Sequence, residues 1–351
     1  MSTVHVVGTG TIGEPLIGLL ADHQEQFGLE EVTFHKRTPL ETDRPKVRDL
    51  ERRGAVLAAD ADRRTDFERL GHAPKYEAVE AIGRADVVID CTPVGLQMKR
   101  DFYENAAYPR GFMAQGSEFG FGKMYARGVN DEALVPGDDR FLHVVSCNTH
   151  NIAVLIKTLA MDADGTSHLE SGTFLCIRRS SDISQTAGFV AGPTVDAHHE
   201  ERFGTHHARD AHGLFATLGY DLDLFSSALK LNTQYMHAIH FSLTLDREIS
   251  LSEVRDRLAA NTRVAVTRKR SANEVFSFGR DHGYFGRILS QTVISLDTLA
   301  VRGGNTIVGF CFTPQDGNPL LTTVSAMLWY LDPSLREERL DVLRPYLFQE
   351  V

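Results

Sequence analysis

Cys147 is the side chain whose surroundings most suggest chemistry. It stands in Ser146-Cys147-Asn148-Thr149-His150, after the apolar residues 141–145 and before Ile152, Leu155, Ile156 and Leu159, which recur at helical spacing. That order predicts a thiol at a strand-to-helix junction. Unpaired N–H groups and the positive end of a helix dipole stabilise a thiolate there, so the sulfur is expected to be nucleophilic near neutral pH. The same donors can hold an oxyanion formed when the thiolate adds to a carbonyl. Cys176 and Cys311 fall inside strand-like runs and read as packing. Four cysteines, widely spaced, make neither a disulfide framework nor a zinc knuckle.

A second constellation lies near the N-terminus. Gly8-Thr9-Gly10-Thr11-Ile12-Gly13 follows the apolar residues 4–7 and precedes a helix-like stretch over 16–21. In that context Gly8 permits a tight turn, Gly10 lets the backbone approach a pyrophosphate, and Gly13 allows close packing of helix on strand. The helix N-terminus supplies donors to the anion. The next strand ends Phe34-His35-Lys36-Arg37-Thr38-Pro39, with no acid to accept from a ribose 2′-hydroxyl. Lys36 and Arg37 suit a 2′-phosphate, which favours NADP; Glu41, close by, leaves NAD open.

The histidines divide into two groups. His237 sits in the strand-like run 235–240, where a histidine is more often a hydrogen-bonded structural residue than a catalyst. Beside a thiol, however, its imidazole could act as a base. His198, His199, His206, His207, His212 and His240 match no familiar metal-ligand spacing, so no metal site is expected. With Arg202 and Arg209 they read as a cluster for a phosphate or carboxylate. No pair of carboxylates is spaced for acid–base work.

The elements that must position these residues change character along the chain. Through residue 146, strands (4–7, 31–34, 85–90, 111–114, 141–145) alternate with helical patterns, which predicts a doubly wound parallel sheet of Rossmann type. Beyond it, residues 173–177, 236–245, 263–266 and 288–301 are strand-like, and Gly303-Gly304 predicts a hairpin into 306–312. This half is expected to be an α+β domain with a mixed or antiparallel sheet. The tail from Pro319 reads as helical. The expected division is 1–146, with a returning helix over 319–351, for the cofactor and 147–318 for catalysis.

Taken in order, these segments resemble the archaeal-type (type II) glyceraldehyde-3-phosphate dehydrogenase family over nearly the whole chain. The similarity rests on the glycine loop, on Val88-Ile89-Asp90-Cys91-Thr92-Pro93-Val94-Gly95, on Ala114-Gln115-Gly116 and on Ser146-Cys147-Asn148-Thr149. It continues in Ile177-Arg178-Arg179-Ser180-Ser181-Asp182, in Asn232-Thr233-Gln234-Tyr235-Met236-His237 and in Gln315-Asp316. The resemblance implies Cys147 as nucleophile and His237 as general base. It implies Ser146, Asn148, Thr149, His206 and His207 as substrate contacts. It adds Thr11, Ile12, Gly116, Arg178 or Arg179, and Gln315 to the cofactor contacts. It further implies a phosphorylated aldehyde or acyl phosphate as substrate, inorganic phosphate as co-substrate, and a homotetramer.

Three places depart from the family pattern: His150, the run Ala208-Arg209 after the histidine pair, and residues 117–123. The resemblance would put all three near the substrate, so a different phosphorylated aldehyde or a semialdehyde stands as the alternative substrate. A non-catalytic NADP-binding sensor is the alternative from another class. Net charge −10, spread along the chain, argues against nucleic acid or anionic membranes as partners. With no signal-peptide pattern and no apolar run near the roughly 20 residues of a membrane span, a cytoplasmic protein is expected.

Overall fold

In the computed structural model, which describes residues 2–181, 188 and 190–351, the chain forms two compact units. The first comprises Met1–Lys123, Val135–Val144 and Thr322–Val342; the second comprises Met124–Leu134, Val145–Leu321 and Leu343–Val351. Relative to the division expected from sequence, residues 124–134, 145–146, 319–321 and 343–351 fall in the second unit. Asp182, the last residue of the double-arginine segment, lies outside the described residues.

Short strands buried on both faces build the first unit. The order is β1 (Ser2–Val7), α1 (Gly13–Asp22), β2 (Leu29–His35), α2 (Arg44–Arg52), β3 (Val56–Ala59), α3 (Arg64–Arg69), β4 (Tyr76–Glu77), α4 (Ala78–Arg84), β5 (Val87–Asp90), α5 (Gly95–Asp101) and β6 (Gly111–Gly116). β7 (Lys123–Tyr125) and β8 (Phe141–Val145) complete the sheet, whose strand order is β4-β3-β2-β1-β5-β6-β8-β7. Every pairing from β4 to β6 is parallel. Val4, Val6, Val87, Val88 and Ile89 are fully buried, as strands covered on both faces require. Strand order reverses between β1 and β5, and the glycine loop leaves β1 at that switch point, where open α/β sheets bind ligands.

The second unit starts with α6 (Cys147–Leu159), β9 (Leu169–Arg178), β10 (Thr194–Val195), α7 (His206–Ala216), β11 (Leu224–Lys230), β12 (His237–Leu245) and α8 (Leu251–Ala260). It continues through β13 (Val264–Thr267), α9 (Ala272–His282), β14 (Thr292–Ser295), β15 (Ala300–Arg302) and β16 (Thr306–Thr313). α10 (Gly317–Leu331) begins in this unit and ends in the first, where α11 (Arg336–Leu340) follows. The sheet order is β10-β11-β9-β12-β16-β14-β13, with β15 paired to β16. It is mixed: β9/β11 and β13/β14 are parallel, while β9/β12, β12/β16 and β14/β16 are antiparallel. Alternate residues of β12 (Ile239, Phe241, Leu243, Leu245) meet Ile152, Leu155, Ile156 and Leu159 of α6 and Leu214 and Phe215 of α7 in one core.

Two strand expectations need correction. Residues 288–301 form only β14 and β15, broken by a 3-10 turn at Leu296–Thr298 that the Thr298 hydroxyl closes by donating to the Ser295 carbonyl at 2.8 Å. The hairpin at Gly303-Gly304 therefore joins β15 to β16, with both glycines at positive φ (58° and 82°). β11, whose Ser226-Ser227 interrupts the apolar pattern, carried no strand signal strong enough to expect it.

Candidate functional site

The chain leaves β8 at Val145 and turns into α6 through Ser146, which is extended (ψ 160°) and caps the helix by accepting from the Thr149 amide. Its Oγ also lies 2.9 Å from Thr149 Oγ1. Cys147 is thus the first residue of α6, half-buried and in no disulfide. Its backbone is held from α10: Asn318 Nδ2 donates to the Cys147 carbonyl at 2.9 Å and to the Gln291 carbonyl at 3.3 Å. This approach depends on Gly317, where a Cβ would come within 1.8 Å of the Ile288 carbonyl oxygen. Asn318 was not singled out from sequence. The available signal was a buried polar run, Asn318, Thr322, Thr323 and Ser325, inside an otherwise apolar helix.

Asn148 turns inward rather than outward. It is buried, with Nδ2 2.9 Å from His207 Nε2 and Oδ1 3.1 Å from His237 Nδ1. The residue adjacent to Cys147 in sequence therefore joins the first residue of β12 to the second residue of α7. Thr313, at the end of β16, places Oγ1 3.2 Å from Asn148 Oδ1 and receives Asn151 Nδ2 at 2.8 Å. Burial drives the His237 pKa down to about 3, and the neighbouring Arg179 and Arg178 charges add to the shift. His207 is held well below the usual histidine range by burial and by the charge of His206. Both imidazoles are consequently neutral at physiological pH, the form a proton acceptor needs. His206 begins α7 half-buried, its ring centroid 4.0 Å from that of His207.

The remaining substrate-side expectations are distributed as follows. Thr149 is fully buried in the helix cap, and His150 is fully buried with Nδ1 3.1 Å from the Ser146 carbonyl oxygen. Arg209 pairs with Asp210 at 2.9 Å and Glu200 at 3.1 Å, and Arg202 pairs with Asp221. The cations of the expected anion cluster are thus each matched by a carboxylate. Arg178 pairs with Asp196 at 2.9 Å, whereas Arg179 is buried, 3.8 Å from Asp316. In the first unit, Glu118 accepts from the Leu96 amide at 2.7 Å, and Phe121 is buried in the core with Tyr103 and Phe112. Among the described residues, no group of three histidine, cysteine, aspartate or glutamate side chains is arranged to hold a metal.

The proposed cofactor residues lie in both units. In the first, Gly8 has φ 94°, and a Cβ on Gly13 would come within 2.1 Å of the Gly8 carbonyl oxygen, so only glycine closes this turn. A Cβ on Gly10 would meet nothing within 4 Å, which leaves open space over the loop. Thr11 and Ile12 lead into α1, with Ile12 at its N-cap. Gly116 ends β6 at φ 82° with the space beside it open. Lys36 is buried and pairs with Asp43 at 2.5 Å, while Arg37 is exposed with no ion pair among the described residues. Lys46, from α2, donates to the Thr9 carbonyl of the loop at 3.3 Å. In the second unit a cavity of about 240 Å³ is lined by Arg179, Met236, Phe276, Phe285, Gln315 and Asp316. Gln315 Oε1 is buried with no hydrogen-bond partner among the described residues. Within the first unit, a tight loop with open space above it at a helix N-terminus is the kind of place where a pyrophosphate can be held.

The chain is similar over most of its length to archaeal proteins named glyceraldehyde-3-phosphate dehydrogenase. The one from Methanobacterium formicicum is 25% identical over 316 residues, covering 87% of this chain and 86% of the relative. That from Metallosphaera sedula is 26% identical over 313 residues (86% and 85%), and that from Methanococcoides burtonii 28% over 288 residues (80% and 79%). No family profile matches the chain. These matches are long enough to take in parts of both units.

Proposed function

We propose that this chain is an NAD(P)-dependent phosphorylating aldehyde dehydrogenase, resembling glyceraldehyde-3-phosphate dehydrogenase and using Cys147 as its nucleophile. The observation that carries this reading is the placement of Cys147 at the N-terminus of α6, with the next residue, Asn148, 3.1 Å from the neutral imidazole of His237. The α6 N-terminus favours the thiolate and offers N–H groups to an oxyanion.

In this reading Cys147 Sγ adds to the aldehyde carbon and forms a thiohemiacetal. His237 takes the hydroxyl proton as the carbon gives up hydride, leaving a thioester on Cys147. A bound nicotinamide cofactor supplies the hydride acceptor. Inorganic phosphate then attacks the thioester carbon, releasing an acyl phosphate and the thiol. Ser146, Thr149, His206 and His207 would shape the substrate side. NADP is favoured over NAD by exposed Arg37, although the Lys36–Asp43 pair removes one of the two cations expected for a 2′-phosphate. The catalyst would act as a cytoplasmic homotetramer.

A second substrate reading has its own support. Arg202 and Arg209 are engaged by carboxylates, and His150 is buried, so a phosphorylated aldehyde or semialdehyde other than glyceraldehyde 3-phosphate is the alternative. The test is reduction of NADP, and of NAD, by glyceraldehyde 3-phosphate with and without phosphate, using Cys147→Ser as control. Phosphate-dependent turnover lost in the serine variant is expected. Turnover that survives in Cys147→Ser would sink the mechanism; turnover only with other aldehydes would move the substrate.

A further inference from the structure

We propose that a one-way chain of buried hydrogen bonds, running from Cys311 through Asn151 and Thr313 to Asn148, holds His237 as its Nδ1–H tautomer and so makes Nε2 its basic atom. Every member of the chain is buried, and its sense follows from what the two ends can do. Cys311 Sγ lies 3.3 Å from Asn151 Oδ1, with the Ile239 carbonyl farther off at 3.7 Å. A thiol is weak both as donor and as acceptor, so the amide N–H of Asn151 goes to the better acceptor, Thr313 Oγ1 at 2.8 Å, and its oxygen faces the sulfur. The Thr313 hydroxyl, already accepting, spends its proton on Asn148 Oδ1 at 3.2 Å.

That orientation of the Asn148 amide decides two histidines at once. Its Nδ2 faces His207 Nε2 at 2.9 Å, which must be bare to accept. His207 then carries its proton on Nδ1, 3.4 Å from Thr205 Oγ1. Thr205 Oγ1 in turn lies 2.7 Å from Ser226 Oγ, and that hydroxyl can donate onward to the backbone carbonyls of Thr205 (3.3 Å) and Phe203 (3.5 Å). Reversing the chain would make sulfur an acceptor and turn the Ser226 proton back toward Thr205 Oγ1, away from the Thr205 carbonyl. His237 Nδ1, 3.1 Å from the same Asn148 oxygen, is therefore a donor, and Nε2 keeps its lone pair. Thr313 and Asn148 act on the chemistry through His237 and are positioning residues.

The kinetic consequence rests on His237 being the base of the proposed dehydrogenase; the tautomer is a property of the protein alone. Imidazole nitrogen NMR on the full chain without substrate, near pH 7, reads it directly. Wild type and Thr313→Ser should show His237 protonated at Nδ1 and bare at Nε2. Thr313→Val, which keeps the volume but removes the proton, should show both tautomers. Asn148→Asp, with oxygen on both sides, should move the His207 proton to Nε2 while His237 keeps Nδ1–H. In turnover, Thr313→Val should lower kcat by roughly tenfold at unchanged KM, with Thr313→Ser restoring it. A wild-type His237 protonated at Nε2 overturns the proposal. So does a Thr313→Val spectrum matching wild type, or an unchanged His207 in Asn148→Asp. The expected tautomers in a protein inactive on every aldehyde would count against the dehydrogenase reading and leave this one standing.

Discussion

At the scale of single residues, the site is defined as much by what holds Cys147 as by Cys147 itself. Asn318 reaches across from α10 to donate to two backbone carbonyls, that of half-buried Cys147 and that of buried Gln291. Replacing it with alanine leaves both acceptors without that donor, at a cost of about 1–3 kcal/mol. Asn318→Ala should therefore lower the unfolding free energy read from urea titration by that amount, with a lower midpoint, and reduce kcat, while NADP affinity measured by titration stays near wild type. Unchanged kcat would show that the first turn of α6 holds its geometry without the clamp. Residue identity made Cys147 legible, because a thiol flanked by Ser, Asn and Thr before a helical pattern has few structural explanations. The inward turn of Asn148 was not legible. Side-chain direction on the first turn of a helix depends on which strands lie beneath it, and here those are β12 and β16, distant in sequence.

At the scale of elements, alternating strands and helices announced the first sheet, and burial on both faces explains why the signal was clear. The second sheet was only half legible. Strands such as β11 and β12 bury alternate residues, so β11 loses its pattern to Ser226 and Ser227, while β14 and β15 read as one run until the turn at Leu296–Thr298 separates them. The glycine loop separates two roles that sequence alone runs together. A Cβ on Gly13 would strike the Gly8 carbonyl oxygen at 2.1 Å, whereas one on Gly10 would enter open space. Gly13→Ala should destabilise the protein by about 1–3 kcal/mol through overpacking and weaken NADP binding along with it. Gly10→Ala should leave thermal stability unchanged and weaken NADP binding alone, because the added methyl would enter the open space that the proposed pyrophosphate needs. Thermal melts and cofactor titrations on the two variants distinguish these outcomes; equal destabilisation by both would mean that the loop is a structural turn with no ligand over it.

At the scale of the whole molecule, the two units carry buried neutral histidines, and acid should act on each. In the first unit His5 lies on β1 opposite Thr33 of β2, with Nδ1 2.7 Å from Thr33 Oγ1, and burial lowers its pKa to about 3. The folded state therefore resists a proton that the unfolded chain accepts below about pH 6.5. Stability from this group is fully present above that value and falls as pH drops toward 3, at about 1.4 kcal/mol per pH unit. His35, also lowered by burial, works in the same direction, whereas Asp90, whose carboxyl is raised by burial, opposes it. The chain has one tryptophan, Trp329, and it is buried in the first unit. Its fluorescence thus follows that unit while far-UV circular dichroism follows both. Urea midpoints read from Trp329 should decline between about pH 6.5 and 4, and His5→Gln, which keeps a polar partner for Thr33 but cannot titrate, should flatten that decline. Since Asp90 is common to both proteins, the difference in slope reports His5 together with its interaction with His35. Parallel slopes would mean that His5 is protonated in the folded unit as readily as in the unfolded chain.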